Sequence, residues 1–192
     1  MRIIAGRNKG RKLAEPGRGD PAAHLRPTSD RVRESLFGVL TGGRVPLELQ
    51  DTRVLDIFAG SGALGLEALS RGAAHVTFVE TGRAALALLG RNITLCGAGA
   101  ETEILRQDAT RLSPNPGAPF DLIFMDPPYG KEMGEKALRA ALSGGWVAEE
   151  AIVVWEEDGP PRVPAAFQML DRRRFGGTTI TVLRFVGASH PG

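Results

Sequence analysis

The sequence predicts an α/β fold: a mostly parallel, seven-stranded sheet with helices on both faces, an antiparallel hairpin at its end and a basic N-terminal extension. Three observations lead there. From Thr52 onward, short apolar runs alternate with stretches of helical periodicity, the pattern of βαβ units whose strands are covered on both faces. The first run ends in a glycine-rich turn that opens a helix. The last two runs are joined through Phe175-Gly176-Gly177, too short for a helical crossover, so they must pair antiparallel.

Taken in order, residues 1–43 form the arm and residues 44–192 the body. The arm mixes Gly, Pro and Arg until Thr28-Ser29-Asp30, a capping cluster followed by Val32, Leu36, Phe37, Val39 and Leu40 at helical spacing. It therefore ends in an amphipathic helix. In the body, strands are predicted over 53–58, 75–80, 103–106, 122–126, 151–156, 167–171 and 178–185. Helices are predicted over 64–71, 83–95 and 132–142 between the first five strands, with a Pro/Gly-rich loop over 113–119.

A chain of 192 residues, 42% hydrophobic, is long enough to fold around one sizeable core without a disulfide or a structural metal. Cys96 stands alone, which excludes a disulfide scaffold and a Cys-based zinc site and fits a reducing compartment. No apolar run approaches the roughly 20 residues needed to cross a bilayer. The start, Met1-Arg2-Ile3-Ile4-Ala5-Gly6-Arg7, returns to charge too soon for a signal peptide. The expectation is a cytoplasmic protein with no metal and no membrane contact, and nothing demands more than a monomer. Net charge is only +2, but residues 1–33 hold nine Lys/Arg against three acids, a net +6, leaving −4 on the rest. A basic arm ahead of an acidic body suits a phosphate backbone; a solvated basic tail is the plainer alternative.

The chemistry sits in two loops. Val54-Leu55-Asp56-Ile57-Phe58-Ala59-Gly60-Ser61-Gly62-Ala63-Leu64-Gly65 is a strand, a glycine turn and a helix start, where backbone can approach a ligand at the positive end of the helix. Gly60-x-Gly62-x-x-Gly65 fits the dinucleotide fingerprint, and Glu80 follows Gly60 by 20 residues, where a carboxylate would meet ribose hydroxyls. NAD and S-adenosylmethionine fit that pattern equally well. A Walker phosphate loop is excluded by the lack of Gly-Lys-Ser/Thr, and a serine elbow by Ala59. The second loop, Asp126-Pro127-Pro128-Tyr129, follows the apolar run Leu122-Ile123-Phe124-Met125 and should face the same crevice. An acid, a carbonyl released by prolines and a flat ring suit a planar base carrying an exocyclic amine. Such an amine attacks poorly until acceptors hold its N–H groups, and the base must first leave its stack. A Pro-rich turn with a capping Asp is the structural alternative.

These residues carry a resemblance. Asp56 to Gly65, Glu80, Asp108 and Asp126 to Tyr129 are similar to the cofactor and amino-methylation motifs of class I S-adenosylmethionine-dependent methyltransferases, which have a Rossmann-like fold. Arg2-Ile3-Ile4-Ala5-Gly6-Arg7, Gly10-Arg11-Lys12-Leu13 and the block from Arg26-Pro27-Thr28 to Ser35-Leu36-Phe37 resemble the bacterial 16S rRNA guanine-N2 methyltransferases of the RsmD type. The likeness fades after about Trp155. It implies that Asp56, Phe58, Gly60, Ser61 and Gly62 surround the methionine part of S-adenosylmethionine, that Glu80 holds its ribose, and that Asp108 with Ala109 meets its adenine. Asp126, Pro127, Pro128 and Tyr129 would hold the guanine amine for direct methyl transfer without a metal. The implied partner is 16S rRNA or the small ribosomal subunit, gripped by Arg7, Lys9, Arg11, Lys12, Arg26, Arg31 and Arg33 at phosphates and not at bases.

Competing readings are DNA adenine-N6 or cytosine-N4 methylation, a non-catalytic RNA-binding assembly factor with the same fold, and an NAD oxidoreductase. The last leaves Asp126 to Tyr129 unexplained. Cys96 ends an apolar helix without a paired His and reads as core. His24, His75 and His190 lack metal-ligand spacing. Trp146 and Trp155 are expected to pack beside the sheet. Arg172, Arg173 and Arg174 read as a solvated charge run, with an extended phosphate-contact surface as the other reading.

Overall fold

A computed structural model describes residues 1–16, 29–43, 45, 47–128 and 132–187. One sheet organises the chain. Its strands are β1 (Arg53–Ile57), β2 (His75–Val79), β3 (Thr102–Leu105), β4 (Phe120–Met125), β5 (Val147–Glu157), β6 (Phe167–Phe175) and β7 (Thr178–Phe185). They lie in the order β3-β2-β1-β4-β5-β7-β6. The first five run parallel, and β7 pairs antiparallel with both β5 and β6. The seven-stranded, mostly parallel sheet with a terminal hairpin is as the sequence predicts. The order reverses between β1 and β4, the switch point where open α/β sheets hold ligands beyond the strands' carboxyl ends.

Strand alternation divides the core in two. Val54, Val76, Phe78, Leu122, Phe124, Ile152 and Val154 point to one side, where α1 (Asp30–Thr41), α2 (Ala63–Ser70) and α3 (Arg83–Cys96) pack. Leu55, Ile57, Val79, Ile123, Met125, Val153 and Trp155 point to the other, under α4 (Met133–Ser143). Ser29 caps α1 by accepting from the Val32 N–H, and Phe37 reaches the sheet with its ring 5.8 Å from that of Phe124. Trp146 and Trp155 are buried beside the sheet, and so is Cys96 at the end of α3.

Two strands are longer than their sequence pattern suggests. β5 begins at Val147, which pairs with Phe120 before a register shift, and the exposed Glu149-Glu150 pair hides this start. β6 continues through Arg172 to Arg174 because it is an edge strand, where charged side chains face solvent and discourage further pairing. Single 3₁₀ turns at Gly99–Glu101 and Ala109–Arg111 have no sequence signal of their own.

The amino-terminal segment is stitched to the body. Arg2 and Lys12 form an antiparallel bridge, and Ile3 and Leu13 are buried in the same cluster as α1 and α2. Glu67 of α2, itself fully buried, accepts from the Ile4 and Ala5 N–H groups at 2.8 and 3.1 Å and pairs with Arg71 at 2.7 Å. Ser70 holds the Asn8 N–H and the Ala5 carbonyl, and Met1 pairs with Glu15. Among the described residues no helix is long and apolar enough to cross a membrane.

Candidate active site

The parallel register brings the predicted loops to one edge. Ile57 stands beside Val79 on one side and Met125 on the other, Val79 beside Leu105, and Met125 beside Trp155. The next residues, Phe58, Glu80, Arg106 and Asp126, therefore leave their strands along a single line, level with Glu156, from which β5 runs on one residue further. Phe58 turns the chain at φ 63, and Gly60 and Gly62 follow at φ 54 and 76, left-handed conformations that glycine adopts without strain. Gly62 then caps α2. At Gly65 a Cβ would stand 2.5 Å from Phe78 and 2.7 Å from Val76, so glycine is what lets α2 lie close on β2.

Two carboxylates hold this turn. Asp56 Oδ2 accepts from the Gly65 N–H at 3.0 Å. Glu80 Oε2 accepts from the Gly60 N–H at 2.9 Å, while Oε1 accepts from Thr81 and Gly82 at 2.7 Å each. Asp56 is 3% exposed, and burial pushes its carboxyl up to about 8, opposed by the Gly65 bond and reinforced by the charge of Glu80. Asp126, at the end of β4, is likewise held well above the carboxylate range, first by burial, then by Glu156, Asp56 and Glu157. Pro127 beside it is buried and Pro128 exposed. On the far side, Asp108 accepts from the Thr110 hydroxyl at 2.8 Å and N–H at 2.9 Å, which lower its carboxyl, and Ala109 is buried next to it.

The structure thus collects Asp56, Phe58, Gly60, Ser61, Gly62, Glu80 and Asp126 at the switch point, with Asp108 and Ala109 beyond β3. Tyr129 lies outside the described residues, as does Arg26. Of the expected phosphate contacts, Lys9, Arg11, Lys12 and Arg31 are exposed, and Arg7 is half-exposed in an ion pair with Glu101 at 2.6 Å. Arg33 is a correction: its side chain is fully buried, bonded to the Arg2 carbonyl and to Asp30, so it ties α1 to the amino-terminal segment and presents nothing to a polyanion.

Three residues were missed by sequence reasoning. Glu156 and Glu157 end β5 beside Asp126, and the register of consecutive parallel strands is the signal that finds them. Asn92, fully buried in α3, donates to the Ser61 carbonyl at 2.9 Å and accepts from the Ala14 N–H at 2.7 Å. It links the glycine turn to the amino-terminal segment, and a polar residue on an apolar helix face was its only trace.

Comparison with known proteins agrees with this arrangement. A family model described as Conserved hypothetical protein 95 matches residues 1–184. Ribosomal RNA small subunit methyltransferase D of Escherichia coli K12 is 40% identical over 180 residues, spanning 92% of this chain and 85% of its own. The protein of the same name from Haemophilus influenzae is 35% identical over 92% of this chain and 89% of its own. A solved structure from Escherichia coli, yhhF, described as a methyltransferase, superposes with a TM-score of 0.81 at 36% identity, covering 97% of this chain and 98% of that one. Likeness of this extent takes in the amino-terminal segment as well as the glycine turn and the Asp126 loop, and the chain belongs to the family of ribosomal RNA small subunit methyltransferase D.

Proposed function

We propose that this protein transfers a methyl group from S-adenosylmethionine to the exocyclic N2 amine of a guanine in 16S rRNA of the small ribosomal subunit. The observation that carries the reading is the alignment of the glycine turn with the Asp126-Pro127-Pro128 loop across the switch point. The crevice fits that cofactor on chemical grounds. Burial, and after it the charges of neighbouring carboxylates, opposes ionisation of Asp56 and Asp126, and a sulfonium and an ammonium group offset that concentration of acids. Asp56 and the turn from Phe58 to Gly62 would hold the methionine part, Glu80 the ribose, and Asp108 with Ala109 the adenine. Bound there, S-adenosylmethionine supplies an electrophilic methyl group.

What the chain itself does is orient the amine. Asp126 and the Pro127 carbonyl accept its N–H groups, drawing the lone pair out of conjugation with the ring, and the two prolines keep both acceptors fixed. Tyr129 is assigned to stack on the extruded base. The exposed cations of the amino-terminal segment grip phosphates. The names of the relatives support rRNA of the small subunit as the substrate.

The test is mass spectrometry of nucleosides from unmodified small subunits incubated with the protein and S-adenosylmethionine. N2-methylguanosine is the expected product, and Asp126→Ala should lower turnover by about 10²-fold or more. Cofactor binding without any methylated nucleoside, on subunits or on 16S rRNA, would overturn the assignment and direct the same assay to DNA.

A further inference from the structure

Three consecutive arginines, Arg172, Arg173 and Arg174, lie exposed near the end of the edge strand β6. β6 runs in the direction of β5, because each pairs antiparallel with β7 between them. Across the sheet, Met125 stands beside Trp155, Trp155 beside Thr181, and Thr181 beside Arg172. The run is therefore on the same edge as Asp126, three strand spacings or roughly 14 Å away. It lies on the half of the sheet opposite the cofactor turn.

Alternation along β6 sends Arg173 to the side of α1, together with Asp171 and Phe175. Between Arg173 and α1 is an open groove of about 360 Å³ lined by Ser35, Gly38, Val39 and Gly42. Gly38 is exposed in mid-helix, and a Cβ there would meet nothing within 4 Å. Glycine weakens a helix interior, and no packing among the described residues asks for it; the room it leaves opens to whatever enters from outside. The three guanidinium groups are tethered through Nε: Arg172 to Thr181 Oγ1 at 3.3 Å, Arg173 to Asp171 at 2.9 Å, Arg174 to the Gly176 carbonyl at 3.1 Å. A tether at Nε fixes the guanidinium plane and leaves its terminal fork to match phosphate oxygens. Among the described residues Asp171 is the one acid ion-paired with the run. The same charge makes β6 a poor template for an added peptide strand.

We propose that the groove between α1 and the end of β6 holds the phosphodiester backbone of the rRNA strand flanking the target base, with Arg173 on its wall and Arg172 and Arg174 continuing the track around the sheet edge. The proposal rests on the rRNA reading above and gives the target half of the crevice its own grip.

The experiment compares the wild-type chain with the triple variant R172A/R173A/R174A and with Gly38→Glu, which puts an acid into the groove while leaving the Arg173–Asp171 pair intact. S-adenosylmethionine binding is measured by calorimetry, binding to a 16S rRNA transcript across 50–200 mM salt, and methyl incorporation at varied RNA. Both variants should bind the cofactor as the wild type does, while Kd and KM for RNA rise about tenfold or more and kcat stays within a few-fold. In the triple variant the salt slope should fall by about 1 to 2, since each lost single-strand phosphate contact removes roughly 0.7. Wild-type Kd and slope in both variants, with the wild type active, would overturn the groove alone. Weakened binding to assembled particles with unchanged binding to deproteinised rRNA would also overturn it, assigning the face to a ribosomal protein. A wild type that neither binds nor methylates rRNA would bring down the functional reading and this inference with it.

Discussion

Replacing Asp56 by Asn separates the electrostatic burden of the crevice from its hydrogen bonding. Asn retains an acceptor for the Gly65 N–H but cannot ionise. In the folded chain the Asp56 carboxyl is raised from 3.8 to about 8. A raised acid binds its proton more tightly folded than unfolded, so its contribution to stability is full at low pH and is lost as pH climbs through the window between those values. From pH 5 to pH 7 the unfolded chain is ionised at this position and the folded chain is not. At 1.36 kcal/mol per pH unit, the wild type loses about 2–3 kcal/mol that the Asn variant keeps. Urea unfolding at pH 5, 6, 7 and 8 reads the difference directly, as a midpoint gap that widens with pH and levels off above about 8. The two proteins staying parallel within ~0.5 kcal/mol across that range would refute the claim that Asp56 is a strained, desolvated acid. The same variant should bind S-adenosylmethionine more weakly, because a cationic ligand stabilises the ionised form of Asp56. Wild-type affinity should accordingly rise with pH toward 8, with a proton released on binding.

Two further outcomes follow from the way the amino-terminal segment is attached. Asn92→Ala removes the donor to Ser61 and the acceptor for Ala14 inside the core, and should cost about 2–4 kcal/mol of stability while weakening cofactor binding; unchanged values in chemical unfolding and cofactor titration would show that the link is idle. Reversing two exposed charges, Arg11→Glu with Lys12→Glu, should weaken 16S rRNA binding and flatten its salt dependence without altering stability by more than ~0.5 kcal/mol, and an unchanged salt slope would remove this segment from the RNA surface.

The strands and helices of the body were legible because period-2 and period-3.6 patterns are local properties of the chain. The glycine turn, Glu80 and Asp126 were legible for a different reason: each follows an apolar run directly, and parallel strands bring such positions to a common edge. What stayed hidden depends on tertiary partners. Arg33 looks from sequence like any arginine in a basic arm, yet the Arg2 carbonyl and Asp30 give it a buried seat. Glu67 lies in an otherwise apolar helix, and its purpose emerges only when the Ile4 and Ala5 N–H groups arrive from 63 and 62 residues away. Deleting the arm is for the same reason a poor test of RNA binding. It would strip Ile3 and Leu13 from the core, at about 1.5–3 kcal/mol each, and leave Glu67 buried without those donors.

The distribution of charge argues for how a polyanion and an acidic crevice coexist. Asp56 and Asp126 sit at the switch point and are held against ionisation first by burial and then by the charges around them, Glu80 on Asp56 and Glu156 with Glu157 on Asp126. A phosphate backbone laid over that point would face the same repulsion, undiminished by the low local dielectric. Two sets of exposed cations stand away from that point: Lys9, Arg11 and Lys12 on the segment docked over α2 and α3, and Arg172 to Arg174 at the far edge of the sheet. A strand held by either set and repelled at the centre brings into the crevice the part that carries no charge, a base. On this arrangement the acids select twice, favouring a cationic methyl donor from one side and admitting a single extruded base from the other. Weakening either set should then raise KM for RNA, whereas altering the central acids should act on kcat and on cofactor affinity.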